Sequence, residues 1–437
     1  MNVLMRDGFK VFVVGDSVRD MLLSNEPDCY ELCTDAVPSR IIDCLSKFYP
    51  RAADPACGPV CVKSYGHRIS VSTMRSFTHG PDPGEPDFSV SLSDDLRCRD
   101  FTVNAIACRK NGTVIDPYNG VGDFNSQVLR AVVSPDLLFT RDGAAVIRMI
   151  RLCSQLGFSP DPDTEAAAFG FRENLKNCDP EVLRDELSAI LVCDHAGSVI
   201  MKYRSIFFQI IPELEACDGF DQHNPNHCYD ILGHICATVD NVEPDLILRL
   251  AALLHDIGKP ECFSLSESGR GRFYGHMQSS CAMARSILCR LRFPQKIIDT
   301  VCLLVENHDC PHESTPVSAR QWLGRIGSKN VFLITKLKKA DCLAHDVSYH
   351  NRLGRLSGFR REVIGVLSRG ECYSLSGLNI GRQDISAMMG GKHPEAIAPV
   401  LKNLLSKVID GSLPNEPETL RSAALTTISE ELQNDNH

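Results

Sequence analysis

The chain opens with a short apolar segment that passes directly into a helical pattern. Residues 9–23 read FKVFVVGDSVRDMLL. The first part, residues 9–15, is rich in β-branched and aromatic residues and ends in glycine, which predicts a buried strand. Residues 17–23 place apolar side chains at helical spacing, and Ser17 is positioned to cap that helix. A strand that leads into a helix favours an α/β fold for this part of the chain.

Further along the chain, strand signals give way to helical ones. Residues 68–74 (RISVSTM) alternate like a second strand. From about residue 136 onward, amphipathic helical patterns dominate. They cover residues 144–156, 181–192, 228–239, 245–257, 281–291 and 394–409. We therefore expect an α/β domain over the first 135 residues and an all-helical remainder.

The composition is typical of a globular protein with several domains. The 437 residues are 43% hydrophobic and 23% charged, close to the averages for such proteins, and the length predicts two to four domains. A net charge of −9 argues against a generally basic nucleic-acid-binding protein, although a local basic groove is compatible with it. We find no secretory signal and no apolar run long enough to span a membrane. These features predict a cytoplasmic protein.

The 20 cysteines are the most unusual feature of the composition. They are scattered singly, at a density below that of a disulfide-stabilised scaffold. The closest pairs, Cys29/Cys33 and Cys57/Cys61, are one residue wider than the commonest zinc-binding spacing. We expect these cysteines to be reduced and mostly buried, as small hydrophobic residues.

Several ordered motifs in the first part of the chain resemble those of a known family. They are VVGDSVRDMLL (13–23), EPDCYELCTDAVPS (26–39), DLRCRDFTVNAIA (95–107), DPYNGVGDF (116–124) and RDGAAVIRMIRLCSQLGF (141–158). Together they resemble the head and neck of bacterial tRNA nucleotidyltransferases and poly(A) polymerases. The resemblance implies a DNA polymerase beta-like α/β nucleotidyltransferase head, followed by an all-α neck, HD domain and tail.

The positions that hold magnesium in this family are altered here. Nucleotidyl transfer needs two Mg²⁺ ions held by clustered carboxylates, which the family supplies from an Asp-x-Asp pair and an acidic residue on a neighbouring strand. By the resemblance these positions are Cys29, Glu31 and Ser70. Because Mg²⁺ prefers hard oxygen donors to a thiol, Mg²⁺ binding in the head is doubtful. The sequence predicts a disabled transferase centre.

The family's nucleotide-binding positions are retained in part. Its Gly-Gly pair is Gly15-Asp16 here, and an aspartate repels a phosphate. In the neck motif Asp142 is kept, but the arginine that reads the base is replaced by Ala145. The resemblance implies a remnant nucleotide site at Gly15, Arg19, Asp100, Asp142 and Arg148.

A histidine–aspartate pair follows an apolar helical segment in the second half of the chain. Residues 246–259 read LILRLAALLHDIGK, and a pair at this place resembles the HD superfamily of metal-dependent phosphohydrolases, which is all helical. The resemblance implies metal ligands at His234, His255, Asp256, His276, His308 and Asp341. This mixed nitrogen and oxygen set suits Mn, Fe or Zn, with Mg also considered.

The same resemblance assigns catalytic roles. His255 and Asp256 are expected to take part in catalysis, and Lys259, one helical turn after His255, is expected to contact a phosphate oxygen. A bound metal lowers the pKa of its water toward ~7 and provides a hydroxide nucleophile. With both resemblances, the predicted division is a head (1–135), a helical neck and body (136–215), an HD domain (216–360) and a tail (361–437).

Three functions are compatible with these observations. The favoured one is an HD-type phosphohydrolase that acts on a nucleotide or RNA-end phosphoester within a transferase-like scaffold, with tRNA, an RNA 3′ end or a nucleotide as partner. The second is a CCA-adding or adenylating enzyme that remains active through a rearranged site. The third is a non-catalytic RNA-binding module in which a metal only stabilises the fold. A near-stoichiometric transition metal in the purified protein would favour the first.

Overall fold

The computed structural model describes residues 1–49, 59–64, 66–76, 87–223 and 229–434. The strands within these ranges are β1 (Val11–Val14), β2 (Cys29–Thr34), β3 (Val60–Ser64), β4 (His67–Thr73), β5 (Arg75–Ser76), β6 (Asp87–Phe88), β7 (Ala107–Cys108), β8 (Val114–Ile115), β9 (Val128–Leu129), β10 (Ser159–Pro160), β11 (Phe263–Leu265) and β12 (Gly271–Phe273).

The α-helices are α1 (Asn2–Arg6), α2 (Asp16–Leu22), α3 (Pro38–Ser46), α4 (Leu92–Arg97), α5 (Gly120–Asn125), α6 (Pro135–Arg141), α7 (Ala145–Leu156), α8 (Pro162–Gly170), α9 (Pro180–Leu191), α10 (Ala196–Lys202), α11 (Arg204–Ile210), α12 (Ile231–Asn241), α13 (Leu246–Leu254), α14 (His276–Arg290), α15 (Gln295–Asn307), α16 (Pro316–Ile326), α17 (Ser328–Leu343), α18 (Arg352–Ser368), α19 (Arg382–Met388), α20 (Ile397–Asp410) and α21 (Pro417–Asn434). Short 3₁₀ helices connect several of them.

A six-stranded mixed sheet, in the order β3-β4-β2-β1-β7-β8, organises the first part of the chain. Strands β2 and β4 run parallel, and the other neighbouring pairs are antiparallel. Alternate residues of β1 pack into different apolar clusters: Val11 joins one and Phe12 and Val14 join another. Both faces of the sheet are therefore covered. The strands predicted over 9–15 and 68–74 are confirmed as β1 and β4.

The helix that follows β1 begins at Asp16, and Ser17 does not cap it. The N-cap is Gly15, which makes no side-chain cap. The Ser17 hydroxyl instead donates to the Cys29 carbonyl at 2.9 Å and accepts from the Glu31 backbone N–H at 2.7 Å. Ser17 therefore fixes α2 to the start of β2, the strand that carries Cys29 and Glu31.

The chain divides into two compact units. The first comprises Met1–Cys193 with Tyr203–Pro212, and the second comprises Asp194–Lys202 with Glu213–His437. The amphipathic segments predicted after residue 136 form α7, α9, α12, α13, α14 and α20. The predicted start of one helix at Cys228 lies outside the described residues, and α12 begins at Ile231. The helical character of this part of the chain is confirmed.

Three short strands lie in the region that we expected to be all helical. One of them, β10, pairs with β9 of the first 135 residues, and the other two, β11 and β12, form an antiparallel hairpin. Each strand has only two or three residues, too few to show an alternating pattern. The hairpin matters because it lies beside the cluster of histidines and aspartates described below.

The described cysteines are less buried than we expected, since eight of the 18 are buried and eight are partly buried. The described cysteines are all free, with Cys61 and Cys289 exposed; Cys57 and Cys228 lie outside the described residues. Within the described ranges, no helix is both long and apolar enough to cross a membrane.

Candidate metal centre and nucleotide-pocket remnant

The three positions that we expected to correspond to the family's magnesium ligands lie together on adjacent strands of the first unit. Parallel pairing places Glu31 of β2 opposite Ser70 of β4. Cys29 is two residues before Glu31 and so faces the same side of the sheet. Burial raises the pKa of the Cys29 thiol, which keeps it protonated and unsuited to Mg²⁺. The geometry of a carboxylate cluster is retained, but only one of its three positions carries a carboxylate.

That one carboxylate, Glu31, is bound to an internal cation. Its Oε2 atom lies 3.3 Å from Nη1 of Arg99, whose Nε lies 3.6 Å from Asp95 Oδ2. Burial raises the pKa of Glu31, and the Arg99 guanidinium opposes that effect. The guanidinium thus provides the positive charge that a metal ion provides in a carboxylate cluster.

The ion pair also lies directly against the backbone of Gly15. This residue has φ +68°, a left-handed conformation that favours glycine. A Cβ atom added here would lie 2.2 Å from Glu31 Oε2 and 2.3 Å from Arg99 Nη1. The space next to Gly15 is therefore filled by the side chains of Glu31 and Arg99.

Arg19 holds together the elements around this position. It is buried, and its guanidinium donates to Asp16 at 2.8 Å, to Asp20 at 3.1 Å and to Asn104 at 2.8 Å. These partners lie on its own helix and on a 3₁₀ turn 85 residues away. The contacts fit a structural role better than direct contact with a nucleotide.

The remaining predicted nucleotide-binding residues line a polar cavity of about 580 Å³ in the first unit. Arg148 Nη1 lies 2.7 Å from Asp142 and 3.4 Å from Asp100, and its Nε lies 3.1 Å from Glu186. Burial acts to lower the pKa of Arg148, but these carboxylates outweigh it and raise the pKa. Ala145, where the family has an arginine, is fully buried. The acidic groups of the cavity are thus already paired with arginine.

In the second unit, helix ends and helix faces bring the predicted metal ligands together. His234 lies within α12, which Asp230 caps by accepting from Gly233 N–H at 2.6 Å. His255 and His308 follow the last residues of α13 and α15. His276 begins α14, and Asp341 lies in the last turn of α17. The structure brings together all six predicted ligands.

These ligands form two groups. One group is His234, His255 and Asp341, and the other is Asp256, His276 and His308; in each, the ligand atoms lie within 4.8 Å of one another. Asp256 faces both groups. Its Oδ2 lies 3.4 and 3.2 Å from Nε2 of His234 and His255, and its Oδ1 lies 3.6 and 3.5 Å from Nε2 of His276 and His308.

The tautomers of three histidines are set by backbone carbonyls. Nδ1 of His255 lies 2.8 Å from the Ala252 oxygen, and Nδ1 of His308 lies 2.7 Å from the Val305 oxygen. His276 makes the same contact with the Phe273 oxygen at 2.8 Å. Because Nδ1–H donates in each case, the Nε2 lone pair points toward the carboxylates. Fixed imidazoles of this kind are typical of metal ligands.

Two features of the centre fit a bound cation. Nε2 atoms approach each other at 3.4 Å between His234 and His255 and at 3.3 Å between His276 and His308. Because Nδ1–H donates to a backbone carbonyl in both His276 and His308, two lone pairs meet in that pair, and they repel unless a positive charge lies near them. In addition, Oδ1 of Asp256 is buried and accepts no hydrogen bond from the described residues. Because a buried carboxylate oxygen is costly without a partner, the donor set fits a divalent metal.

The pKa shifts show that neighbouring lysine and histidine side chains keep the carboxylates of the centre ionised. Burial acts to raise the pKa of Asp256, but His255 and Lys259 hold it well below its usual value. Asp341 behaves similarly, with a pKa lowered against burial mainly by His234. Burial lowers the pKa of His276. The centre therefore combines ionised carboxylates with imidazoles.

Lys259 is held against one of the predicted metal ligands. Its ammonium is buried, lies 2.6 Å from Asp256 Oδ2 and donates to Gln222 Oε1 at 3.1 Å. It also lies 5.4 Å from the Phe273 ring. Lys259 lines the cavity of the centre, and its nearest charged partner is Asp256, a predicted metal ligand. The contact of its ammonium with a phosphate stays a prediction.

Sequence reasoning missed several residues around the centre. The motif pattern assigns no role to His345, yet its ring lies 4.6 Å from that of His234 and its Nδ1 lies 3.6 Å from Asp341 Oδ1. Arg272, Tyr274 and Tyr349 line the same cavity, of about 310 Å³. His345 lies two residues after the end of α17, and its spacing of four residues from Asp341 was the available signal.

Comparison with known proteins supports both halves of this description. Residues 11–130 match the poly(A) polymerase head domain, and residues 226–347 match the HD domain. The A-adding tRNA nucleotidyltransferase of Deinococcus radiodurans is 33% identical over 248 residues, which cover 54% of this chain and 56% of that protein. The CCA-adding enzyme of Leuconostoc citreum is 34% identical over 194 residues, or 44% and 48% of the two chains. The chain spans about half the length of these curated relatives.

The fold is shared over almost the whole chain. The crystal structure of the Bacillus stearothermophilus CCA-adding enzyme in complex with CTP superposes with a TM-score of 0.69. The match covers 99% of this chain and 97% of the other at 22% sequence identity. The predicted DNA polymerase beta-like head, followed by a helical region with an HD domain, is confirmed.

Proposed function

Because this chain belongs to the bacterial tRNA nucleotidyltransferase family, with a poly(A) polymerase head domain followed by an HD domain, we propose that its HD centre is a divalent-metal phosphohydrolase and that its head no longer transfers nucleotides. The observation that carries the proposal is Asp256. This buried carboxylate faces four histidine Nε2 atoms at 3.2–3.6 Å. The corresponding cluster in the head holds an internal arginine instead.

The residues that would hold the metal are the two ligand groups around Asp256. A divalent ion of the Mn, Fe or Zn type suits these ligands better than Mg. When bound, such a metal supplies a hydroxide nucleophile from water near neutral pH. The chain itself contributes rigid imidazoles, whose Nδ1–H groups are bound to backbone carbonyls. Lys259 holds Oδ2 of Asp256 and keeps a positive charge at the wall of the cavity.

The substrate class follows from the cavity and from the head. The cavity of the HD centre is polar and contains Lys259 and Arg272, so it suits an anionic phosphoester. We propose a nucleotide or an RNA-end phosphoester as substrate. Gly15, Arg19, Asp100, Asp142 and Arg148 would form only a remnant nucleotide site, and tRNA or another RNA 3′ end is the proposed partner.

Residual transferase activity is the second candidate, supported by the names of the relatives. Its difficulty is the chemistry of the head, where Cys29 and Ser70 replace two carboxylates and Arg99 neutralises Glu31. Without clustered carboxylates, the attacking hydroxyl and the triphosphate lack the charge stabilisation that transfer requires.

One experiment separates the two candidates. The full-length protein is assayed for bound transition metals. It is then incubated with Mn²⁺ and a panel of nucleotides, 2′,3′-cyclic phosphates and tRNAs, and in parallel with labelled CTP and ATP and a tRNA that lacks its CCA end. We expect near-stoichiometric metal, hydrolysis of at least one phosphoester and no incorporation. Efficient incorporation without hydrolysis would reverse the assignment.

A further inference from the structure

One wall of the HD cavity is formed by the hairpin of β11 and β12. Ser264 pairs with Arg272, and Phe263 pairs with Phe273. The segment from Gly271 to Tyr274 lines the cavity together with Asp256 and His276. The hairpin therefore leads directly into the metal ligands, since only one residue separates Tyr274 from His276.

The hairpin is firmly attached to the unit that carries the centre. Phe263 packs edge-on against Phe220, with ring centroids 5.3 Å apart, and lies 5.6 Å from Phe273. The Gly271 N–H donates to the His223 carbonyl at 3.0 Å. A Cβ atom at Gly271 would lie 2.1 Å from the Gln222 carbonyl oxygen, so only glycine permits this approach. The wall is a fixed element.

Tyr274 does not contribute to this attachment. Its side chain is 75% exposed at the edge of the cavity, and its ring has the Arg272 guanidinium 5.9 Å from its centroid. The other tyrosine of the cavity is different. The Tyr349 ring stacks on His345 at 4.2 Å and has the Arg352 guanidinium 3.9 Å from its centroid. Tyr349 is therefore engaged, whereas Tyr274 offers an exposed aromatic face.

We propose that Tyr274 and Arg272 recognise the nucleoside part of the substrate, Tyr274 by stacking on the base and Arg272 by binding an adjacent phosphate or ribose oxygen. This proposal rests on the proposed function of the HD centre and narrows it to nucleoside phosphoesters. An exposed tyrosine beside an arginine is the arrangement with which proteins bind unpaired bases, because every base has a π face. A base on Tyr274 places its own sugar and phosphate toward the cavity.

The test compares substrates with and without a base. Steady-state hydrolysis is measured for a ribonucleoside 3′-monophosphate, for a short oligoribonucleotide with a 3′-phosphate, and for methyl ribofuranoside 3-phosphate, which has no base. We expect Tyr274→Ala to raise KM for base-containing substrates about tenfold with kcat nearly unchanged, and to leave the abasic substrate unaffected. Tyr274→Phe should retain the wild-type KM. Leu265→Ala, which removes an exposed apolar side chain from the same hairpin, is the matched control.

Binding is measured in parallel with phosphonate analogues of the nucleoside and abasic esters, whose carbon–phosphorus bond is not a phosphoester. A nucleoside analogue that binds more tightly than the abasic one, with the difference lost in Tyr274→Ala, supports the proposal even where wild-type protein hydrolyses nothing. Failure of the wild-type protein to hydrolyse any substrate would overturn only the proposed function of the HD centre, because analogue binding would still test the stacking role of Tyr274. Equal effects of Tyr274→Ala on base-containing and abasic ligands, or no effect on either, would overturn the stacking role. An effect confined to the oligoribonucleotide identifies an RNA end as the source of the nucleoside, and one seen equally with the mononucleotide identifies a free nucleotide.

Discussion

At the scale of single residues, the carboxylate of Asp256 contacts histidines of both ligand groups. Asp256→Asn keeps the side-chain shape but removes the negative charge and one of the two oxygens. We expect the variant to lose its bound metal and at least about 100-fold of any phosphoester hydrolysis. Helical content should be nearly unchanged, because Asp256 lies just after α13. Metal analysis, hydrolysis assays and far-UV circular dichroism test this.

Lys259→Ala is the matched control for that variant. It removes the cation beside Asp256 without removing a metal ligand, so we expect metal to be retained and the KM for a phosphoester to rise. An Asp256→Asn protein with full metal content and full turnover would contradict the metal-centre assignment, and a non-catalytic RNA-binding role would then be favoured.

His312 gives a second prediction at this scale, one of pH dependence. Burial, with Lys338 and Arg355, lowers its pKa to about 4, below the unfolded value of about 6.5. The unfolded chain therefore takes up this proton first, and stability falls as the pH decreases from about 6.5 to 4. Since the side chain is partly exposed, we expect a loss of at most about 2 kcal/mol.

The variant His312→Gln should not show this loss of stability as the pH decreases. Chemical unfolding of the wild-type and variant proteins between pH 7 and 4 measures the difference in slope, with the exposed His393→Gln as control. Parallel pH profiles for wild type and His312→Gln would show that this histidine is not responsible.

At the scale of secondary-structure elements, the pairing of β2 with β4 brings together positions at which introduced carboxylates could bind magnesium. Cys29→Asp, Glu31→Asp and Ser70→Glu would put three carboxylates on adjacent strands, because Glu31 and Ser70 are register partners. We expect the triple variant to bind Mg²⁺ measurably more tightly than wild type. We expect no incorporation of CTP or ATP into tRNA, since Asp16 and Ala145 are unchanged.

Calorimetric titration with Mg²⁺ is best done in an Asp256→Asn background, which removes the contribution of the HD centre. The double variant Cys29→Asn and Ser70→Gln, similar in size but uncharged, is the control. Unchanged Mg²⁺ affinity in the triple variant would mean that these strands do not form a metal site even when the carboxylates are present.

The elements also show what the sequence could predict. Long apolar segments such as 246–254 have a clear helical period, and the ordered His and Asp positions predicted the residues of the candidate metal centre. The roles of Ser17, Arg99 and Tyr274 were not predictable in the same way. Each depends on a partner distant in the chain or on a strand of two or three residues, so no local period carries the information.

At the scale of the whole molecule, the division into two compact units allows the effect of metal removal on hydrogen exchange to be measured separately in each unit. The six predicted ligands all belong to the second unit, and a ligand that binds only the folded state stabilises it. With metal at about 100 times its Kd, this stabilisation is about 2.7 kcal/mol. We expect chelation to increase hydrogen exchange in α12–α15 and α17, and to leave β1, β2 and β4 unchanged.

Hydrogen exchange with mass spectrometry, before and after chelation and again after addition of Mn²⁺, tests this expectation. The Asp256→Asn variant should show the chelated pattern under all three conditions. Equal deprotection of both units would indicate that the metal stabilises more of the molecule than the HD centre.

The contact of Glu31 and Arg99 over Gly15 has a consequence for the evolutionary history of the chain. A single substitution that introduced one more acidic residue on β2 or β4 would leave Glu31 paired with the Arg99 guanidinium, so the strands would still lack the clustered free carboxylates that a metal needs. Loss of Arg99 alone would leave Glu31 and Asp95 without their shared cation. Neither change alone creates a metal site, so the Glu31–Arg99 pair makes a carboxylate cluster difficult to reach by single substitutions.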